Sequence, residues 1–353
     1  MVSLLREAEQ EPTGVQHDPK TVPESMMIDA SAQPAPDVLA VVCVPTFRRP
    51  AMLRDTLASL AAQRTAISFR VLVIDNDADG RDGLAVAVAT FAEGPLQGAA
   101  LLEPQQGNCH AINAALRQAG QLFPDARYLL MIDDDEIASP EWLDRMVATA
   151  EAEKADIVGG PVFSTFSTQP HPGLAAHPVF WPAYDRSGPV PMIYGSGNFL
   201  VRQAARLRLA NPEFDVAFNF LGGGDTDFFT RCKRAGFRFY WNQEARIDET
   251  VPPARANARW VLQRSMRIGA INYRLDQSAD ARGPIRAIGK NVLLVPLSLY
   301  RGAKRLIASG SLLQASHPPA IALGRILASL GVEGKQYRAK TTAEAKAKAG
   351  TLS

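Results

Sequence analysis

The sequence predicts an α/β protein built on a mainly parallel, doubly wound sheet, and three observations carry that expectation. Apolar runs of strand length occur at residues 38–46, 71–74, 98–103 and 128–132, and the first three each lead into a stretch with helical spacing. The runs are continuous rather than alternating, as strands covered on both faces require. The second and fourth runs break abruptly into acids, Asp75-Asn76-Asp77 and Asp133-Asp134-Asp135-Glu136. Carboxylates are thereby expected at the carboxyl ends of neighbouring strands, the edge where open α/β sheets bind ligands.

Taken in order, residues 1–37 carry seven acids against Arg6 and Lys20, with several prolines and few large apolar groups, and are expected to be a disordered lead-in. VLAVVCVPTFRRP (38–50) predicts a strand ending at Pro45-Thr46 and a turn; a helix over 51–63 follows, with Leu53, Leu57 and Leu60 on one face. The second strand ends at Asp75, a helix is expected over 82–93, and GAALLE (98–103) reads as a third strand. The next helix opens at Gly107-Asn108 and carries Ala111, Ala114 and Ala115 on a small-residue face. The fourth strand delivers the acids 133–136, and Ser139-Pro140-Glu141 makes a good start for a helix over 140–153. Carboxylate oxygens at such an edge are hard ligands for Mg²⁺ or Mn²⁺ carrying substrate phosphates, although an acidic loop ahead of a helix has the same composition. No G-x-G-x-x-G follows the first strand, which argues against a dinucleotide-binding dehydrogenase.

ADIVGGPVF (155–163) is expected to be one further strand, and residues 164–192 a long loop. In that loop His171, His177, Trp181 and Tyr184 either shape an acceptor pocket or simply pack. MIYGSGNFLVRQ (192–203) suggests a turn in which Gly195 and Gly197 allow close approach to a ligand, with Asn198 beside them, then a strand leading to a helix. Gly222, Gly223 and Gly224 make a tight turn before an amphipathic helix opened by Asp225 and Asp227. Asp225 is either a functional carboxylate or a helix cap, and three glycines are a costly way to place a cap. FRFYW (237–241) returns as a strand.

At 353 residues and 46% apolar content, the chain can bury a sizeable core. Its net charge of +2 hides an asymmetry: residues 255–305 hold eleven Lys and Arg against Asp276 and Asp280. That basic module suits an anionic surface or phosphate. With neither aromatic interleaving nor a nucleic-acid fold motif, binding to DNA or RNA is not expected. Cys43, Cys109 and Cys232 show no paired spacing, and no run is long and apolar enough to span a bilayer. A cytoplasmic location follows as the expectation. RANARWVLQRSMRIGAINYR (255–274) puts Trp260, Arg264 and Arg267 on one helix face with Arg259 beside it. IRAIGKNVLLVPLSLYRGAKRLI (285–307) combines a short apolar run, broken by Pro296, with Arg286, Lys290, Arg301, Lys304 and Arg305. It reads either as an interfacial membrane helix or as a helix packed on the core. Residues 335–353 are expected to be a solvated tail.

Together and in this order, CVPTFRRP (43–50), VLVIDND (71–77), MIDDDE (131–136) and GGGDTDFF (222–229) resemble family 2 glycosyltransferases of the GT-A fold. The likeness is to the bacterial exopolysaccharide branch, of the type that extends lipid-linked succinoglycan repeat units, and it covers about residues 39–270. The resemblance implies a catalytic domain over 38–270, followed by a helical extension over 271–334. It implies that Pro45, Thr46 and Asp75 bind the uridine of a UDP-sugar donor, that Asp133 contacts the ribose and that Asp135 holds Mg²⁺ or Mn²⁺. Asn113 is implied on the donor side, and Asp225 becomes the base that takes the proton of the acceptor hydroxyl. Gly197, Asn198, Arg259, Trp260 and Arg264 are the candidates for contact with the acceptor or diphosphate. The implied activity is an inverting, metal-dependent and non-processive transfer from a UDP-sugar, UDP-glucose being the first candidate, to a lipid-linked oligosaccharide at the inner face of the cytoplasmic membrane. An anionic membrane surface is then a further partner.

Three positions depart from the family pattern. Gly224 stands where relatives have an acid before the base, Ile112 stands where they commonly have Arg before Asn113, and Asp248-Glu249 stand where many have a metal-binding His. These departures keep a non-catalytic sugar-nucleotide or glycan-binding protein in play. Arg48 and Arg49 after the first strand do the same for a nucleotidyltransferase.

Overall fold

The computed structural model describes residues 27–28, 37–277 and 283–332. Most of the lead-in expected to be disordered, and the tail at 335–353, lie outside these residues. Within the lead-in, Met27–Ile28 form a two-residue strand, β1, at one edge of the main sheet.

Three βα units and a fourth strand follow as the apolar runs predict. They are β2 (Ala40–Thr46), α1 (Pro50–Ala61), β3 (Phe69–Asp75), α2 (Asp82–Glu93), β4 (Gly98–Leu102), α3 (Asn108–Leu122) and β5 (Tyr128–Met131). A short strand β6 (Glu136–Ala138) carries the chain from the acids into α4 (Trp142–Ala152). The stretch expected to be one strand at 155–163 is instead two, β7 (Ile157–Gly159) and β8 (Val162–Phe166), which join different sheets. Gly160-Pro161 is the cause: proline has no N–H for the ladder, so the chain turns there. The long loop holds only α5 (Pro172–Ala175), a 3₁₀ turn at Pro178–Phe180 and β9 (Gly188–Val190). Then come β10 (Phe199–Arg202), α6 (Gln203–Arg206), α7 (Gly224–Arg234), β11 (Phe239–Trp241) and β12 (Ile247–Val251). Helices α8 (Ala258–Gln277), α9 (Gly283–Ser309), α10 (Leu312–Ala315) and α11 (His317–Ser329) complete the described chain. The boundary expected at residue 270 falls inside α8, which is continuous across it.

The main sheet has nine strands in the order β1-β4-β3-β2-β5-β10-β7-β11-β9, with β4, β3, β2 and β5 mutually parallel. Strand β10 runs antiparallel between β5 and β7, so the doubly wound plan holds for the first half and becomes mixed in the second. Alternate residues of β2 enter different cores: Val41 and Cys43 pack with α3 and α7, while Ala40, Val42 and Val44 pack with α1, α2 and α4. Both faces are therefore buried, which is why the strands read as unbroken apolar runs. Register then fixes the site. Cys43 lies opposite Met131, so three residues further along each strand Thr46 and Asp134 meet, and Thr46 also pairs with Asp75 across the other edge of β2. A second, three-stranded sheet, β6-β12-β8, sets Glu136 directly opposite Glu249.

The C-terminal helices dock on the sheet-bearing body through the long loop. His177 is fully buried, its Nδ1 accepts from Val179 N, and its ring meets that of His317 edge-on at 5.1 Å between centroids. His317 Nδ1 is 2.8 Å from Ser265 Oγ of α8. His171 Nδ1 accepts from Gly173 N as the cap of α5, and the Tyr184 hydroxyl donates to Met192 O. Burial above all, with Arg305 nearby, pushes both His177 and His317 down to about 4 from 6.5. Below pH 6.5 the unfolded chain takes up protons that the docked pair refuses. The contribution of the pair is complete above about pH 6.5 and is lost as the pH falls toward 4. The melting temperature should accordingly drop between pH 6.5 and 4.5, and His317→Phe should flatten that drop; equal slopes would contradict this account.

Candidate active site

The acids of 133–136 divide their work by geometry. Asp134, at the level of Thr46, is buried: its Oδ2 accepts from Thr46 Oγ1 (2.8 Å) and Phe47 N (3.3 Å), and its Oδ1 accepts from Arg49 Nη1 (2.9 Å). It ties the turn after β2 to the end of β5. Glu136 Oε2 accepts from Asp133 N (2.8 Å) and closes the acidic turn on itself. Gly197 borders this carboxylate so closely that a Cβ there would sit 2.2 Å from Glu136 Oε1. The close approach at Gly197 is therefore to the protein's own acid, whereas Gly195 faces open space.

Asp135 uses one oxygen for cations: Oδ2 lies 2.7 Å from Arg49 Nη1 and 3.6 Å from Arg255 Nη1. Its Oδ1 has no hydrogen bond among the described residues. Arg255 also pairs with Glu249 at 3.0 Å, and Arg264 acts electrostatically on Glu249. Asp133 is half-buried and its carboxylate takes no hydrogen bond or ion pair among the described residues. Burial, then the charges of Asp135, Asp134 and Glu249, raise it to about 8. Glu136 is raised well above its ordinary value by burial and then by Asp133, and Glu249 is raised by burial and then by Asp135. Like charges directly opposite in a ladder are destabilising, and Arg255 offsets part of that cost at Glu249.

Five carboxylates thus face three guanidiniums, and the surplus is negative. Among the described residues no three His, Cys, Asp or Glu side chains are arranged to hold a metal ion by themselves. A divalent cation would fit at Asp135 Oδ1 with most of its oxygens supplied by phosphates and water, as Mg²⁺ commonly is at nucleotide sites. The residues present therefore fit such an ion.

Other predicted residues are placed differently. Pro45 and Thr46 end β2 at this edge, as expected, but Thr46 spends its hydroxyl on Asp134. Asp75 is fully buried, with Oδ1 accepting from Asp77 N (3.0 Å) and Oδ2 from Leu84 N (2.8 Å), so it organises the turn into α2. Asn113 clamps Phe214 through both its amide groups, at 2.8 and 2.7 Å, and Asn198 binds Trp142 Nε1, Pro161 O and Ala245 O. Each of these two buried amides spends side-chain hydrogen bonds on the scaffold. Trp260 is half-buried and stacked on Phe180 at 5.8 Å, while Arg259 is exposed on α8.

Asp225 lies in the first turn of α7 behind Gly223, which occupies the cap position. The cap reading therefore fails. Its Oδ2 accepts from Gly195 N at 2.7 Å, which fixes the carboxylate against the glycine turn, and Oδ1 keeps only a long 3.5 Å contact with Thr226. Two of the sequence departures find a physical reason here. A Cβ at Gly224 would lie 2.7 Å from Cys109 Sγ, and Ile112 is fully buried in the core under α3. Burial and the nearby charge of Asp225 push the Cys109 thiol up to about 12, so it is a neutral packing group.

Arg49, Arg255 and Glu249 are site residues that the sequence motifs alone underweighted. Arg48, next to Arg49, is held at φ 56° and forks onto Asp77 at 2.9 and 3.0 Å, a strained backbone of the kind found at functional sites. Both arginines of that turn are engaged with carboxylates, and the free phosphate-gripping loop that a nucleotidyltransferase would need is not what they form.

An acid-lined sheet edge on this α/β plan, with a further carboxylate delivered by a glycine turn, defines a GT-A glycosyltransferase. The chain belongs to glycosyl transferase family 2, whose model matches residues 41–208. It is 33% identical over 241 residues to the succinoglycan biosynthesis protein ExoM of Rhizobium meliloti (strain 1021), over 65% of this chain and 72% of that protein. It is 23% identical over 312 residues to an N-acetylglucosaminyltransferase of Mesorhizobium japonicum, over 83% and 71% of the two chains. Among solved structures, the mannosyltransferase PcManGT from Pyrobaculum calidifontis, in complex with GDP-Man and Mn²⁺, shares the fold. Its TM-score is 0.56 at 15% identity, over 82% of this chain and 86% of that one.

The contact at Gly224 can be measured. Gly→Ala inside a helix gains up to about 1 kcal/mol, whereas overpacking costs about 1–3 kcal/mol. Gly224→Ala should therefore destabilise by about 1–2 kcal/mol in denaturant titration, and should become neutral or stabilising in a Cys109→Ala background. Additive effects would show that the thiol is not the obstacle.

Proposed function

We propose that this glycosyltransferase moves a sugar from a UDP-sugar, UDP-glucose being the first candidate, to a lipid-linked oligosaccharide at the inner face of the cytoplasmic membrane. Transfer occurs one residue per encounter, with inversion, in exopolysaccharide or cell-surface glycan synthesis. The observation that carries the reading is the pair of carboxylate positions: a cluster of surplus negative charge around Asp135, and Asp225 anchored on Gly195 with one oxygen left over. The relative with a succinoglycan biosynthesis name supports the pathway class.

A sugar hydroxyl is a poor nucleophile, so its proton must be accepted as it attacks the anomeric carbon. Asp225 serves as that base: the bond to Gly195 N orients the carboxylate, and Oδ1 receives the proton. Mg²⁺ or Mn²⁺, held by Asp135, would supply charge neutralisation for the departing nucleotide diphosphate. Arg49 and Arg255 hold Asp135 in place, and Arg264 adds positive charge beside Glu249. Asp133, half-buried at the same edge, is the candidate for the ribose hydroxyls, and Pro45 and Thr46, at the end of β2, are the candidates for contact with the uracil ring. One displacement with one base inverts the anomeric centre; a glycosidase needs a second carboxylate because its leaving group is not activated.

Asp225→Asn should lower kcat by about three orders of magnitude or more, with UDP-sugar affinity changed less than about threefold, as loss of a base alone requires. Turnover near the wild-type rate would remove Asp225 from this role. Excess chelator should weaken UDP binding in calorimetry for the native chain and have little effect on Asp135→Ala. Unchanged binding with chelator in the native chain would sink the assignment of Asp135.

A further inference from the structure

Helix α9 is amphipathic the wrong way round for a helix on a globular core. The side it turns toward α10, α11 and α8 is small and polar: Ala287, Asn291, Ser298 and Gly302 are buried. Asn291 Oδ1 accepts from Arg325 Nε of α11 at 2.8 Å, and Arg325 is itself buried and paired with Asp276 at 2.9 Å. The outward side carries the large apolar groups. Ile285, Val292, Leu293 and Ile307 are 77%, 70%, 72% and 87% exposed, with Ile288, Leu299 and Tyr300 among them. At 100° per residue these side chains fill an arc of about 140°. Arg286, Lys290, Arg301 and Lys304 fill the adjoining arc, and the helix has no Asp or Glu.

Large apolar groups on the solvent side of a soluble helix forfeit their transfer free energy, so a stripe of this length calls for a covering surface. We infer that the exposed face of α9 lies in the interface of an anionic lipid bilayer, with its axis in the membrane plane. Charge chooses the occupant. An apolar stripe bordered by Arg301 and Lys304, with Lys290 already paired to Asp276 of α8 at 2.8 Å, matches acyl chains beneath anionic head groups, whereas a second copy of the same helix would bring like charges together. Pro296 sits within the exposed arc. No described helix is long and apolar enough to cross a membrane, so the helix lies on the surface rather than spanning it. The inference is compatible with a lipid-linked acceptor but rests on the helix face alone.

The test is flotation of the full chain with vesicles of phosphatidylcholine, with and without 30 mol% phosphatidylglycerol (about one anionic lipid in three, to give the surface potential on which basic segments act). Two variants are compared, Val292→Ser/Leu293→Ser/Ile307→Ser and Arg301→Glu/Lys304→Glu. All five positions are exposed, and unchanged melting temperatures would verify the folds. The native chain should float with the anionic vesicles and stay behind with the neutral ones. Each variant should lose roughly tenfold or more in partitioning. Flotation of the apolar-face variant at the native level would overturn the inference, as would native protein that ignores anionic vesicles. A concentration-dependent dimer in sedimentation, dissolved by the serine substitutions and indifferent to lipid, would assign the face to a second copy instead. Transfer to a short water-soluble acceptor, measured in parallel, should survive in both variants, so failure of the sugar-transfer reading is seen separately.

Discussion

Concentrated negative charge at one sheet edge is the constraint on which the rest of this protein turns. Asp133, Asp134, Asp135 and Glu136 leave β5 together, and the smaller sheet sets Glu249 directly against Glu136. Burial raises the cost of every one of these charges, as the upward shifts of Asp133, Glu136 and Glu249 record. Arg49 and Arg255 offset part of it, and both sit on turns whose positions depend on the acids they neutralise. A buried, under-neutralised carboxylate cluster is poor for stability and favours a cation.

The scaffold around that charge is mostly hydrogen-bonded backbone and amide. Asn113 and Asn198 look like ligand residues because they stand in conspicuous motifs, yet each uses its amide to tie distant segments together. Asp75 does the same with its carboxylate at the turn into α2. Preorganisation of this kind places the groups with spare valence, Asp135 Oδ1 and Asp225 Oδ1, on rigid supports. The substitutions at Gly224 and Ile112 belong to the same scaffold: one makes room for Cys109, and the other fills a core position.

The C-terminal helices follow a different logic. They attach to the catalytic body through small and polar contacts and a pair of neutral histidines, and α9 keeps its apolar groups on the outside. The choice between a packed helix and an interfacial one dissolves here, because one face of the same helix does the packing while the other is exposed.

The four strands of the first half, the helices between them and the acid-bearing edge were legible from local pattern. Continuous apolar runs demand burial on both faces, and acids at their ends can only lie at the rim. The ordered motifs carried the family. What tertiary structure decided were facts of register and of distant partners. The break at Gly160-Pro161 sends β7 and β8 to separate sheets, and that split is what brings Glu249 opposite Glu136. Arg255 meets Asp135 across 120 positions of sequence, and Asn113 meets Phe214 across 101. No local period encodes such pairings, because they follow from how sheets and loops close in three dimensions. The inverted face of α9 had the same limit: its composition was visible in the sequence, but which arc would be covered depended on the helices it packs against.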